Sequence, residues 1–255
     1  MSAFRYTPSE TFPPVIKNLL IINVLVFVGQ LTLENSLQLT EKLMLHPWIP
    51  SNLKMALAQT GDLAEMSRFN PYQLFTYMFA HSPQNIGHII FNMFALWMFG
   101  RLLENMWGAK RFLFFYIASG VGAGLLHIAI QYFRLEQAVN GLTPDQILQA
   151  FQSGGQEFVN KIARPLSPAL GASGAIMGIM AAFGYLFPNT ELMIIPIPIP
   201  IKAKWLVLGY IALDLFGGIT NSSSDNVAHF AHLGGAIVGF LIVYTWNKTN
   251  RKTLY

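Results

Sequence analysis

Three stretches of this sequence, Phe112 to Phe133, Leu166 to Phe187 and Val227 to Trp246, contain no Asp, Glu, Lys or Arg. Each is roughly twenty residues long, the length an α-helix needs to cross about 30 Å of hydrocarbon. A backbone in lipid must satisfy its own N–H and C=O groups, which makes the helix the spanning form for such segments. Three further apolar runs, Asn18 to Leu33, Ile86 to Gly100 and Trp205 to Thr220, bring the expected spans to six. The composition agrees, with 53% hydrophobic and 11% charged residues, against about a quarter charged in soluble domains. The expected fold is all-α, a polytopic six-transmembrane-helix bundle forming a single membrane domain over 1–255. Its core covers about 14–247, with short polar tails and an outer-loop insertion at about 134–165.

The polar opening MSAFRYTPSETFPP precedes an apolar run that is the first of a series, so that run reads as a retained span rather than a cleaved signal. With no cysteine, disulfides, thiolate metal sites and a cysteine nucleophile are excluded. The net charge of +4 fits membrane-flanking Lys and Arg, and no basic cluster with interleaved aromatics points to nucleic acid. Six spans put both termini on one side. The segments on that side hold ten Lys and Arg against six on the other, which favours cytoplasmic termini. Of the outer loops, Glu34 to Asn85 is expected to lie helical in the interface. Arg134 to Pro165 reads as a partly helical polar insertion, with Thr143, Pro144 and Asp145 as a helix start and Ser153 to Gly155 as a break. On the inner side IIPIPIPIK is expected to be extended. The absence of an internal repeat weakens a two-fold transporter architecture.

Polar groups inside a bilayer are expensive, so their placement is informative. Ser173 is the eighth residue of the fourth run and His232 the sixth of the last, which puts both on the order of 10 Å below the outer face. His88 and Asn92, one turn apart, fall in the same layer of the second span. Gly171, Gly174 and Gly178 on one run, with Ala231, Gly235 and Gly239 on another, give the small-residue spacing that lets helix backbones approach closely. A serine hydroxyl becomes a useful nucleophile when a neighbouring imidazole takes its proton and later returns it to the leaving amine. The Ser173 backbone N–H, Asn92 and His88 are candidate donors to the oxyanion of acyl transfer. The one part with no evident candidate is a third, acidic member.

Other polar residues have plainer readings. His229 and His232 lack an acidic partner in their span and no HExxH occurs, so no metal is expected, and His229 reads as a cavity or interface residue. His127 is expected to bond a neighbouring helix. Asp214, as an intramembrane carboxylate, is a functional candidate, but its place near mid-span reads as too deep for His232 and sets structural hydrogen bonding or pairing near the inner face beside that role. Glu104 and Arg111 read as a polar pair that fixes a loop.

At HIIFNMFALWMFG (88–100), LLENMWGAKRFLFFYIASG (102–120), GASGAIMG (171–178) and AHLGGAIVG (231–239) the sequence resembles the rhomboid family of intramembrane serine proteases. The family pattern His-x-x-x-Asn, Gly-x-Ser-Gly and Ala-His-x-x-Gly occurs in order, within a resemblance covering roughly Pro71 to Trp246. The resemblance implies Ser173 as nucleophile, His232 as general base and acid, and His88 with Asn92 at the oxyanion, in a Ser-His dyad that needs no cofactor. It assigns no role to His81. The implied activity is hydrolysis of a peptide bond in or beside a transmembrane segment of a membrane-protein substrate, with weak helix formers near the scissile bond preferred. The fifth span and GGITNSSSDN (217–226) are the expected gate. The alternative is a non-proteolytic relative that binds or escorts membrane clients. The expected location is a bacterial inner membrane.

Overall fold

A computed structural model describes residues 9–60, 69–153, 156–194, 197–220 and 228–249. In chain order the helices are α1 (Pro14–Leu37), α2 (Leu39–Leu43), α3 (Ser51–Thr60), α4 (Gln73–Thr76), α5 (Ile86–Trp107), α6 (Ala109–Val139), α7 (Pro144–Ser153), α8 (Gln156–Ala163) and α9 (Ser173–Leu186). Two strands, β1 (Glu191–Ile194) and β2 (Ile197–Lys202), precede α10 (Ala203–Thr220) and α11 (His229–Thr249). The fold is the expected helical membrane bundle.

Among the described residues five helices, α1, α5, α6, α10 and α11, are long and apolar enough to cross a membrane. The fourth expected span differs. Only its second half is helical, as the 14-residue α9, about 21 Å long at 1.5 Å per residue. Pro165 and Pro168 break the helical pattern upstream, and Gly171 adopts φ +123°, a left-handed conformation suited to glycine. Ser173 therefore opens a helix rather than lying eight residues into one.

α9 is the axis of the bundle. Its residues from Gly174 to Gly184 are all buried, and α5, α6, α10 and α11 pack around it. The other helices keep apolar side chains on their outer faces, among them Leu25, Phe91, Leu213 and Phe216, as a lipid solvent allows. α1 starts at Pro14 after Pro13, and the Glu104 carboxylate of α5 accepts the Val15 and Ile16 backbone N–H groups at 2.8 Å each. An anionic cap on orphan N–H groups at a helix start has a clear electrostatic basis. This replaces the expected Glu104–Arg111 pair.

The segments expected as outer loops pack against one another. Ile49, Leu53 and Leu57 in and before α3, Leu135 and Val139 at the end of α6, Ile147 of α7 and Ile162 of α8 form a second buried cluster. α6 runs to Val139 and so supplies one wall of that cap. α7 begins with a reciprocal capping box, in which the Gln146 N–H donates to Thr143 Oγ1 and the Thr143 N–H to Gln146 Oε1. α7 ends at Ser153 and α8 begins at Gln156, as the expected break requires, with Gly154 and Gly155 outside the described residues. The proline-rich segment is extended, and pairs as an antiparallel β1–β2 ribbon that single-residue propensities did not foretell.

Candidate active site

The chain reaches Ser173 through a segment held from both sides. Ala169 and Leu45 exchange backbone hydrogen bonds at 2.8 and 3.0 Å, and the Gly171 N–H donates to the Tyr77 carbonyl at 2.9 Å. Tyr77 is anchored in turn by its hydroxyl, which donates to the Gly120 carbonyl at 2.6 Å. These contacts from the first outer loop and α6 fix where α9 begins. As the first residue of α9, Ser173 offers a backbone N–H without an intrahelical acceptor, at the end of a helix that favours negative charge.

His232 lies in the first turn of α11, whose start is set by the Ala228 carbonyl accepting the N–H groups of Ala231 and His232. The Ser173 hydroxyl donates to His232 Nε2 at 2.8 Å, within the range expected of a nucleophile and its base. Backbone contact between α9 and α11 permits this approach. A Cβ at Gly239 would lie 2.5 Å from Gly178 Cα, and one at Gly235 would fall on the Gly174 carbonyl.

An acidic residue meets His232 on its other ring nitrogen. Asp214, buried in α10, accepts the Nδ1–H of His232 at 3.0 Å on Oδ1. The same oxygen accepts the Nδ1–H of His229 at 2.8 Å. Asp214 is thus not too deep to meet His232, because Ser173 and His232 each stand at the start of their helix and α10 crosses beside them. His229 lies at the α10–α11 interface and serves that carboxylate.

His88 and Asn92 converge on the turn before Ser173. A Cβ at Gly171 would lie 2.8 Å from His88 Nε2 and 3.6 Å from Asn92 Nδ2, so a side chain at Gly171 would fill the space these groups face. The Ser82 N–H donates to His88 Nδ1 at 3.4 Å, which leaves the proton on Nε2 and makes that nitrogen a donor. Asn92 Nδ2 is buried without a hydrogen-bond partner among the described residues. His88 and Asn92 thus face one small space beside Gly171, two residues before Ser173.

His81, given no role by the sequence, is buried with its ring edge-on to His88 at 5.1 Å. Gln30 of α1 brackets its backbone, accepting the His81 N–H and donating to its carbonyl, both at 2.9 Å. His127 is buried, but its ring nitrogens make no hydrogen bond among the described residues, so the bond expected to a neighbouring helix is not formed. Of the expected gate, α10 is described and residues 221–226 lie outside the described residues. What the sequence missed was the Asp214–His232 pair and the Leu45 and Tyr77 contacts. The available signal for the first was a lone carboxylate inside an apolar helix.

Comparison with known proteins agrees with this geometry. The Rhomboid domain family profile matches residues 68–248. The chain is 30% identical over 169 residues to rhomboid protein 1, mitochondrial, of Saccharomyces cerevisiae, covering 66% of this chain and 39% of that protein. It is 32% identical over 171 residues to the rhomboid protease AarA of Providencia stuartii, covering 65% and 52%. To RHOMBOID-like protein 12, mitochondrial, of Arabidopsis thaliana it is 32% identical over 167 residues, covering 66% and 44%. The chain therefore spans about half or less of the length of these relatives. The mitochondrial names do not fit the expected bacterial inner membrane; what the relatives support is a multi-pass integral membrane protein. With the motifs in order, a serine and a histidine in contact at the heads of two helices, and a profile match that spans most of its length, this chain belongs to the rhomboid family.

Proposed function

We propose that the protein is an intramembrane serine endopeptidase, which hydrolyses a peptide bond in or beside a transmembrane segment of a membrane-protein substrate. The observation that carries this reading is the 2.8 Å hydrogen bond between Ser173 Oγ and His232 Nε2. In the attack the Ser173 hydroxyl proton passes to His232 Nε2 as Oγ bonds to the scissile carbonyl carbon. The developing oxyanion is received by the Ser173 N–H, the Asn92 amide and His88 Nε2–H. Collapse expels the amine, which takes the proton from His232, and leaves an acyl ester on Ser173. Water then attacks that ester as His232 accepts its proton, and the tetrahedral intermediate collapses with cleavage of the bond from the acyl carbon to Oγ, the His232 proton returning to Ser173 Oγ as the acid product leaves.

A helical substrate hides its carbonyls in internal hydrogen bonds, so it must unwind locally before attack. Segments with Gly, Pro or other weak helix formers near the membrane boundary are the preferred substrates. We read α9 as the sixth crossing, with the extended run before it completing the distance. Both termini lie on the side of the loops richer in Lys and Arg, and the dyad opens to the opposite face.

The test is cleavage of a fluorogenic transmembrane peptide by the reconstituted protein between pH 6 and 9, with binding of the peptide measured separately. Wild-type cleavage lost in both Ser173→Ala and His232→Ala, with binding kept, supports the protease. Binding with no cleavage by well-folded wild type would overturn it in favour of an escort of membrane clients.

A further inference from the structure

Asp214 is a carboxylate inside an apolar helix, buried at 6% exposure. Such a group is retained only where donors compensate for lost hydration. Both of its recorded donors come from α11, His229 Nδ1–H at 2.8 Å and His232 Nδ1–H at 3.0 Å. A carboxylate only accepts, so its position beside Nδ1 keeps the His232 proton there and leaves Nε2 with a free lone pair. That lone pair faces the Ser173 hydroxyl.

We infer that Asp214 is a positioning residue for the proposed peptidase, which orients His232 and stabilises its charged form from the side opposite Ser173. The inference rests on the reading of Ser173 and His232 as nucleophile and base. When His232 takes the Ser173 proton it becomes an imidazolium, and the ionised Asp214 beside it stabilises that charge without accepting the proton. The proton then leaves from Nε2 to the amine, and Asp214 ends as it began. His229 holds the carboxylate by a second bond to the same oxygen, and its ring is seated against Gly217 of α10, where a Cβ would collide with it. Asp214 thereby stays aligned while the His232 ring exchanges protons.

The experiment measures the rate at which a fluorophosphonate labels the full chain in proteoliposomes, for wild type, Ser173→Ala, Asp214→Asn and Asp214→Glu. A small probe reports hydroxyl activation and does not depend on admitting a helical substrate. The expected result is labelling of wild type, none of Ser173→Ala, slowing of about 100-fold or more in Asp214→Asn, and partial recovery in Asp214→Glu. An Asp214 that merely ties α10 to α11 predicts wild-type labelling in folded Asp214→Asn, which would overturn the inference while leaving Ser173 and His232 in their roles. A folded wild type that does not label would overturn both readings. Should Asp214→Asn fail to fold, ¹⁵N shifts of histidine-labelled wild type decide instead. A His232 protonated on Nδ1 supports the inference, and one protonated on Nε2 overturns it.

Discussion

The bare Cα of Gly235 in α11 rests against the carbonyl of Gly174 in α9, one residue after the serine and one turn from the histidine. That contact sets the distance between the two helix heads. A side chain at Gly235 must move the Gly174 backbone, and overpacking of this kind costs about 1–3 kcal/mol or more. Gly235→Val is expected to lower the thermal midpoint and abolish labelling of Ser173. Gly209→Ala, where an added Cβ meets nothing within 4 Å, is expected to leave both unchanged. Equal behaviour of the two variants would show that the backbone contact is not what holds Ser173 against His232.

Asn92 presents the opposite balance between stability and activity. Its buried amide nitrogen has no acceptor among the described residues, and an unsatisfied buried donor costs about 1–3 kcal/mol. Asn92→Leu, similar in size and without that donor, is expected to keep or raise the thermal midpoint. Loss of one oxyanion donor is expected to lower kcat by about 100-fold or more with little change in KM. Steady-state cleavage and a melting curve on the same preparation read both quantities. An unchanged kcat would remove Asn92 from the oxyanion site.

The positions of Ser173, His232, His88 and Asn92 were legible because intramembrane polar residues are scarce and the glycine spacing announced a close helix pair. The depth count treated Leu166 to Phe187 as one helix although Pro165, Pro168 and Gly171 stood in or beside its first part, whereas Ser173 meets His232 because each stands in the first turn of its helix. Asp214 was placed too deep by the same habit of counting depth along isolated helices. Its partner was decided by how α10 crosses α11, which no single-segment pattern contains. The cap made by α3, α7 and α8 was hidden for a related reason: its cluster joins residues as far apart as Ile49 and Ile162.

Glu104 makes no contact with Ser173 or His232 among the described residues and tests the scaffold alone. Its two oxygens receive the Val15 and Ile16 N–H groups, and its side chain is buried. Glu104→Ala leaves both donors unpaired at the start of α1. The expected loss is about 1–3 kcal/mol, seen as a lower thermal midpoint, with labelling per folded molecule unchanged. A fall in labelling at full stability would mean that α1 communicates with the site by another route.

His81 gives the protein an acid-sensitive point beside the site. Burial first, and then the neighbouring His88 ring, push its imidazole down to about 4 from the ordinary 6.5. The folded state therefore holds His81 neutral while the unfolded chain takes up a proton below pH 6.5. Because the folded value is the lower one, stability is complete above about 6.5 and declines as pH falls towards 4. The full difference is about 3 kcal/mol at 1.36 kcal/mol per unit. Neither ring nitrogen has a hydrogen-bond partner among the described residues, so His81→Leu removes the titration without breaking a bond. Thermal midpoints measured from pH 7.5 to 4.5 are expected to fall more steeply in wild type than in His81→Leu. Every other titrating group is common to both proteins, so the divergence belongs to His81 and the His88 ring it touches, and parallel curves would show that its burial carries no acid penalty.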